Sequence, residues 1–473
     1  MPRYRILLPI LFFITSLLNA QSFQRITDGP LTALDQDSYS GSWVDWDADG
    51  DQDLLVMNYD SPNQLYLNEA GDFVDILSEI WLPGIVEASL TGSWADWDND
   101  FDLDLFMGQY IQNPDYLLVN EGSFFSMDTT YPAATTEDHS YAGSWGDYDG
   151  DGDLDLLTAA TGEAYIGRYM ENADGQFIDR TAEIGYLHAG YSRSTTWVDV
   201  DLDGDLDAYV CRGISWLTQP DLLLIQDDGV LHDEAALRGI THEDYSLGAA
   251  WGDYDADGDL DLYVVTAADS SNRFYRNDGG NFVDVTAQYD LAVTAGHSYR
   301  ASWIDVENDG DLDLFIARNT GETNLLFLND DAIFLNFTVD AGLADDTGRP
   351  TGHAWGDATG DGLPDLFLPD RHGPNSYYVN TSQGGHYLRI TLRGLASNSM
   401  GIGALIRLYG AGANLPLHVH GGIRGNTGSD DPFLPMGLGS LTILDSVVVD
   451  WPSGIHQVRM NVSVDPATDL LMG

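Results

Sequence analysis

Short apolar runs recur along the chain, each bounded by clusters of polar residues; Leu54-Leu55-Val56, Leu105-Phe106-Met107 and Leu262-Tyr263-Val264 are three of them. Runs of this length suit buried strands and are too short for helices. Before each run stands an acidic nonapeptide, and two residues before each nonapeptide stands a tryptophan: Trp43, Trp94, Trp145, Trp197, Trp251, Trp303 and Trp355. After the run, most repeats carry an apolar pair, an Asn or Asp, and an aromatic segment. Examples are Leu65-Tyr66-Leu67-Asn68 to Phe73, Tyr275-Arg276-Asn277 to Phe282, and Leu326-Phe327-Leu328-Asn329 to Phe334. This is the pattern of a hairpin and its turn.

The seven nonapeptides begin at Asp45, Asp96, Asp147, Asp199, Asp253, Asp305 and Asp357, with intervals of 51, 51, 52, 54, 52 and 52 residues. A repeat of that size holding four strands is one propeller blade, and closing seven blades in a ring removes the exposed sheet edges of an open stack. Phe23-Gln24-Arg25-Ile26-Thr27 matches the segment that ends a repeat, such as Phe282-Val283-Asp284-Val285-Thr286, and is predicted to complete the last blade. From residue 385 onward, alternating strands are predicted at 387–392, 404–409, 415–420 and 446–450, separated by Gly-rich turns. Trp451-Pro452 reads as a corner that buries an aromatic ring. The expected fold is all-β: a seven-bladed β-propeller with calcium-binding loops over residues 21–384, then a small β-sandwich-like domain over 385–473.

Residues 1–20 read as a secretory signal, with Arg3 and Arg5 at the start, an apolar run over 6–18, and Leu18-Asn19-Ala20 before a cleavage point at Gln21. Thirteen apolar residues interrupted by Pro9 are short for a membrane span. The expected destination is the extracellular space or the periplasm, with no membrane insertion after cleavage. One cysteine, Cys211, cannot form an internal disulfide and reads as a small core residue.

Of the 473 residues, 76 are acidic and 19 basic, all of them arginine, for a formal net charge of −57. Phosphate backbones and anionic bilayers would be repelled, so nucleic acid is excluded as a partner and cations are favoured. With 43% hydrophobic and 11% aromatic residues the chain is too apolar for an acidic disordered tail.

The nonapeptide brings carboxylates at positions 1, 3, 5 and 9, and a backbone carbonyl at position 7, toward one point if the chain turns sharply at position 6. All-oxygen ligation of this kind suits Ca2+. The candidate ligands are Asp45, Asp47, Asp49, Asp51 and Asp53 in the first loop, and Asp96, Asp98, Asp100, Asp102 and Asp104 in the second. The third supplies Asp147, Asp149, Asp151, Asp153 and Asp155; the fourth Asp199, Asp201, Asp203, Asp205 and Asp207. The fifth supplies Asp253, Asp255, Asp257, Asp259 and Asp261; the sixth Asp305, Glu307, Asp309, Asp311 and Asp313. The seventh has only Asp357, Thr359, Asp361, Leu363 and Asp365. Six loops place Gly at position 6, whereas the second has Phe101, so the loops beginning at Asp96 and Asp357 are the weakest of up to seven sites. A helix-loop-helix calcium site is a poor match, because Val56, Thr158, Val210 and Val264 stand where its bidentate Glu belongs.

His139, His188, His242, His297 and His353 precede calcium patterns and lie near Arg193 and Arg300, which makes a polysaccharide lyase or hydrolase the alternative function. Their offsets are irregular, and they read as polar loop lining. No GxSxG, HExxH or phosphate-binding loop occurs, and the GAGAN run from Gly410 to Asn414 lacks the lysine such a loop needs. The favoured reading is an interaction or adhesion module for an extracellular protein or glycan. Its expected face is the segment before each tryptophan, including Tyr39, Tyr141, Arg193, Tyr299 and Arg300.

These DxDxDGDxDL repeats resemble the FG-GAP and VCBS repeats of calcium-binding propellers, including those of integrin alpha subunits. Asn398 to Ala404 (NSMGIGA), Gly421-Gly422, Gly437-Leu438-Gly439, Trp451-Pro452-Ser453-Gly454, Gln457 and Asn461-Val462 resemble the ASPIC/UnbV domain that follows such repeats in secreted proteins similar to cartilage acidic protein. Pro435-Met436 before Gly437 departs from the aromatic the resemblance implies. The resemblance implies extracellular calcium binding and adhesion, without a defined reaction.

The nonapeptides account for 33 of the acids, leaving 43 against the 19 arginines. Metal binding therefore does not absorb all of the charge, and the remainder points to a salt-rich habitat in which screening suppresses self-repulsion. The calcium-loaded protein is expected to gain thermal stability and solubility between low and molar NaCl. Equal melting curves in both would refute this.

Overall fold

The computed structural model describes residues 23–473 except 34, 78–79, 81–88, 110–113, 123, 133–139, 163–165, 187–190, 268–269, 295, 347, 411, 413–414, 422–429, 431–433 and 465–467. The candidate leader, residues 1–20, lies outside the described residues, as do His139 and His188.

Seven four-stranded antiparallel sheets follow one another as propeller blades. In blade 1 the strands are Ser38–Val44, Asp53–Asn58, Gln64–Glu69 and Asp72–Asp75, from the axis outward. The inner strands of blades 2 to 6 are Ser89–Ala95, Ser140–Gly146, Ser192–Val198, Ser246–Gly252 and Ser298–Ile304. Blade 7 combines Ala354–Gly356, Asp365–Leu368 and Ser376–Asn380 with Phe23–Ile26 from the other end of the chain. The N-terminal strand pairs antiparallel from Phe23 with Asn380 to Ile26 with Tyr377, as its sequence predicts.

The two inner strands of a blade are sandwiched between neighbouring blades, so both of their faces are apolar and they read as continuous runs rather than alternations. Every residue of Ser38–Val44 and Asp53–Asn58 is buried. Close approach explains the glycine two residues before three of the tryptophans. A methyl on Gly41, Gly92 or Gly143 would lie 2.6 Å from Phe367, Met57 or Phe106 of the preceding blade. Trp43 is wholly buried at the seam between blades 7 and 1 and Trp355 at the seam between blades 6 and 7, and Cys211 is a buried core residue.

In blades 1 to 6 the inner strand begins with a bulge. Pairing with the second strand skips Tyr39, Leu90, Tyr141, Arg193, Leu247 and Tyr299 in turn. A bulge re-aims its extra side chain, and Tyr39, Leu90 and Tyr141 from three successive blades meet in one apolar cluster.

Asparagines on the third strands tie blade to blade. The Nδ2 of Asn120 donates to Trp46 O of blade 1, Asn172 to Trp97 O, Asn277 to Val200 O, Asn329 to Tyr254 O and Asn380 to Val306 O. Asn68 closes the ring by donating to Ala358 O of blade 7 at 2.9 Å. Blade 4 has Gln226 at this place; its backbone N–H is held by Asp207, and its side-chain amide makes no such bridge among the described residues.

The C-terminal residues form two facing sheets. One orders Met436–Gly439, His386–Leu392 and Thr468–Met472; the other orders His418–Val419, Leu405–Tyr409, Ile443–Asp450 and His456–Ser463. Leu388, Ile390, Ile406, Leu408, Val447, Val449 and Trp451 fill the space between. The expected strand over 415–420 shrinks to His418–Val419, because its first residues turn toward the propeller, where Leu417 joins a blade core. His456–Ser463 is a further, outer strand with most residues exposed, which the sequence reading did not include although Val458, Met460 and Val462 alternate with polar residues. Trp451 is the expected buried corner, its indole donating to Gln457 Oε1.

Asn329 is 2% exposed and donates to both Tyr254 O and Leu312 O. Asn329→Ala is expected to cost about 1–3 kcal/mol in denaturant unfolding, by leaving buried carbonyls unpaired. Gln226→Ala, which breaks no such bridge, should cost less than about 1 kcal/mol.

Candidate metal centre

Each acidic loop joins an inner strand to the second strand of its blade, so all seven lie on one face of the ring. The first carboxylate folds the loop. Asp45 accepts the Asp49 N–H at 3.0 Å and the Gly50 N–H at 3.1 Å. Asp96, Asp199, Asp253 and Asp305 each accept the same two N–H groups of their own loops. Asp147 and Asp357 accept the position-6 N–H of Gly152 and Gly362. The fifth-position carboxylate accepts the position-7 N–H in every loop, from Asp51→Asp49 to Leu363→Asp361.

Sequence reasoning gave position 7 a carbonyl role only. Its carboxylate has another: Asp51, Asp153, Asp259 and Asp311 accept N–H groups from the outer hairpin turns, at Ala70, Asp174, Gly279 and Asp331. Position 9 is a structural knot as well as a candidate ligand. Asp53 accepts Trp46 N–H at 3.1 Å and Asn68 N–H at 2.8 Å. Its counterparts Asp104, Asp155, Asp207, Asp261, Asp313 and Asp365 hold the equivalent Asn or Gln N–H. The signal available in the sequence was an Asn recurring 15 to 17 residues after position 9 in six of the seven repeats.

Carboxylate oxygens converge within 4.8 Å in the groups Asp45/Asp47/Asp53, Asp96/Asp98/Asp104, Asp147/Asp149/Asp151, Asp199/Asp201/Asp203 and Asp253/Asp255/Asp261. Asp147 Oδ1, Asp201 Oδ1 and Asp255 Oδ1 are buried with no hydrogen-bond partner. Unpaired buried carboxylate oxygens, all hard donors, fit a hard divalent cation. Burial, reinforced by neighbouring acids and opposed by backbone N–H groups, raises Asp45 and Asp147 to about 6 and Asp253 to about 7. The same causes raise Asp53 and Asp155 to about 8 and Asp261 to about 9.

Two features of the loops were not legible beforehand. Position 4 is left-handed throughout, with φ near +60° at Ala48, Asn99, Leu202, Ala256 and Asn308. Phe101 takes φ +75° at position 6, where other loops have Gly, and Arg393 of the C-terminal domain sits 5.7 Å over its ring. The second loop makes its turn despite the side chain, at a backbone cost that glycine avoids.

The C-terminal domain lies across this face and reaches the first carboxylates directly. Ser399 Oγ donates to Asp96 Oδ2, Leu417 N–H to Asp253 Oδ2 at 2.8 Å, and Arg389 to Asp357 Oδ2 at 2.5 Å. Gly385 N–H and Gly439 N–H bond the carbonyls of Glu307 and Asn308 in the sixth loop. In the seventh loop, a guanidinium therefore occupies the Asp357 carboxylate, while Thr359 and Leu363 add no acid. Leu363 is buried against the domain junction.

The expected binding face divides. Tyr39, Tyr141, Arg193 and Tyr299 gather at the axis on the opposite side of the ring. Arg300 does not join them: it is buried, donates to His353 O at 2.7 Å and pairs with Asp430 of the C-terminal domain at 2.8 Å. Asp430 also accepts Trp355 N–H, so it enters the ring from the loop face. Among the described histidines, His242 is locked between Tyr275 OH and Asp221, each at 2.9 Å, and His353 is buried against Ser302. Burial, aided by the Arg300 charge, holds the His353 imidazole well below its ordinary range. Neither presents a ring nitrogen to an open site.

A family model for the FG-GAP-like repeat matches residues 45–107, 96–158, 147–210, 253–316 and 305–368, each match starting at the first Asp of a loop. A model for the ASPIC and UnbV domain matches residues 394–471. No curated protein sequence matches the chain. Among solved structures, the chain is similar to an extracellular domain assigned to a one component system of B. thetaiotaomicron. Identity there is 11% and the TM-score 0.50, over 78% of this chain and 41% of that one, so this chain spans less than half of that length. It is also similar to an Agrocybe aegerita lectin that recognises non-reducing terminal N-acetylglucosamine (16%, TM-score 0.42, 65% and 81%). A Bacillus licheniformis rhamnogalacturonan lyase is a third (13%, TM-score 0.43, 77% and 76%).

The raised carboxyls fix a pH dependence. Without metal, a group lifted from 3.8 to about 8, such as Asp53, holds its proton in the folded state across a window where the unfolded chain has lost it. Folded stability is then full below about 4 and falls as pH rises toward 9. In chelator, the melting temperature is expected to drop from pH 5 to pH 9, and added divalent cation should restore more of it at pH 9 than at pH 5. A flat profile in chelator would contradict this.

Proposed function

Because the chain belongs to the FG-GAP-like repeat family and ends in an ASPIC and UnbV domain, we propose that it is a secreted calcium-binding propeller acting as an extracellular interaction module. The observation that carries this reading is the set of converged carboxylates with unpaired buried oxygens on one face of the ring. Calcium supplies the positive charge that these loops lack, at positions 1, 3 and 5 together with the position-7 carbonyl and the position-9 carboxylate. The leader over 1–20 and the absence of disulfides fit export to a calcium-rich compartment, where bound ions do the cross-linking. On this reading the chain divides into a propeller over 21–384 and a domain over 385–473, the second unit serving as a cover on the loops. That leaves the opposite face of the ring for ligand. In the seventh loop, Arg389 serves in place of an ion.

Chelation should lower the melting temperature, and Ca2+ should restore it better than Mg2+. Asp147→Ala with Asp149→Ala should reduce this calcium response more than Asp357→Ala, since Asp357 already has a guanidinium partner. A binding screen against glycans and extracellular proteins, with and without calcium, tests the interaction role. Indifference of stability to chelator, or a calcium-independent turnover of polysaccharide, would overturn the reading.

A further inference from the structure

The axis of the ring, on the side away from the C-terminal domain, holds an arginine whose donors are not met by a carboxylate. Arg168, Arg238, Arg273, Arg300 and Arg371 each carry a carboxylate partner. Arg193 has none among the described residues, in a chain with four acids for every base. Its surroundings are phenolic. The guanidinium carbon lies 4.4 Å from the centre of the Tyr141 ring and 5.4 Å from that of Tyr245, and Nη2 donates to Tyr245 OH at 2.5 Å. Nε is buried with no acceptor, Nη1 makes no hydrogen bond among the described residues, and the side chain is half-buried.

Tyr39 and Tyr299, from blades on the far side of the ring, lie close enough to act on the same charge. The bulges that begin the inner strands aim these residues at the axis. Beside them Arg371 spans Tyr39 and Tyr59, with its charge already met by Asp37 at 3.1 Å.

Tyrosine faces offset only part of the cost of desolvating a guanidinium. Nε is closed off, and the hydrogens left over on Nη1 and Nη2 form a planar fork, the geometry that takes a carboxylate through two parallel hydrogen bonds. Tyr39, Tyr141 and Tyr245 are buried and hold the guanidinium in place, whereas Tyr299 is partly exposed; a rigid, amphipathic ring of that kind suits the face of a pyranose better than an extended peptide backbone. We propose that this mouth binds an acidic sugar, with Arg193 receiving the carboxylate of a uronate residue and Tyr299 lying beside its ring. The proposal rests on the interaction-module reading and gives it a ligand class and a face.

The probe is a short oligogalacturonate, titrated calorimetrically into the full calcium-loaded chain beside its methyl ester, which keeps the rings and removes the charge. The acid should bind and the ester should bind at least tenfold more weakly. Arg193→Gln should lose roughly tenfold or more in affinity for the acid while keeping the calcium-dependent melting transition, and Arg459→Gln, on the exposed outer strand, should leave binding unchanged. If Arg193→Gln does not fold, Arg193→Lys provides the test, since it keeps charge but loses the fork, and should weaken binding. Equal binding of acid and ester, binding that survives both Arg193 substitutions, or absence of uronate binding would overturn the proposal. Preference for an acidic peptide over the uronate would also overturn it. None of these outcomes touches the calcium response on which the broader reading stands.

Discussion

The position-9 carboxylate is the interaction on which the rest of the ring depends. It is buried, it accepts the N–H that starts its own acidic loop, and it accepts the N–H of an asparagine one hairpin later. That asparagine, so held, turns its amide to the carbonyl of the preceding blade's loop. One aspartate thus sets the loop, the third strand and the blade interface together. Desolvating a carboxylate is costly unless its lone pairs are met, and here the backbone meets them. The aspartates therefore serve two ends: some shape the loops, and others leave oxygens free for an ion.

Because the loops are shaped by their own hydrogen bonds, they also form a surface. The C-terminal domain uses it, seating Ser399, Leu417 and Arg389 on the first carboxylates of the second, fifth and seventh loops. Its own core is a separate apolar layer, so the junction is polar where it meets the loops and apolar where Leu417 and Ile402 enter blade cores. Arg389 and Arg393 reach the two loops with irregular sequences. Asp357 gains a cation where the acids are fewest, and Phe101 gains a partner for an otherwise exposed ring.

Much of this was legible beforehand because a repeat reports itself. Trp43 and its six counterparts, the acidic loops and the hairpins recur at fixed intervals, and period alone places them in blades. The N-terminal strand was readable because Phe23 to Thr27 copies the end of a repeat. What escaped has no periodic signature. Arg300 looks like surface lining until Asp430, 130 residues away, is seen to pair with it. The left-handed residues at position 4 are Ala, Asn, Leu and Gly, a mixture that carries no turn signal. His456–Ser463 is the exception: it alternates at Val458, Met460 and Val462 but is mostly exposed, and it went unread although the pattern was there.

The strand from Phe23 to Ile26 joins the two ends of the propeller, and Arg25 there donates to Ser376, 351 residues further on. Closing a chain of that length costs about 5 kcal/mol in loop entropy beyond a constant, and it cannot happen until the last blade has been synthesised. Until that moment the ring is an arc with two apolar sheet faces uncovered, and the edge of Ser376–Asn380 is open to any other strand that can pair. After it, no blade has a free flank, and separating any two neighbours must strain the remaining five. Order of synthesis is in this way written into the molecule: a strand made before every blade is the last of the ring to find its place.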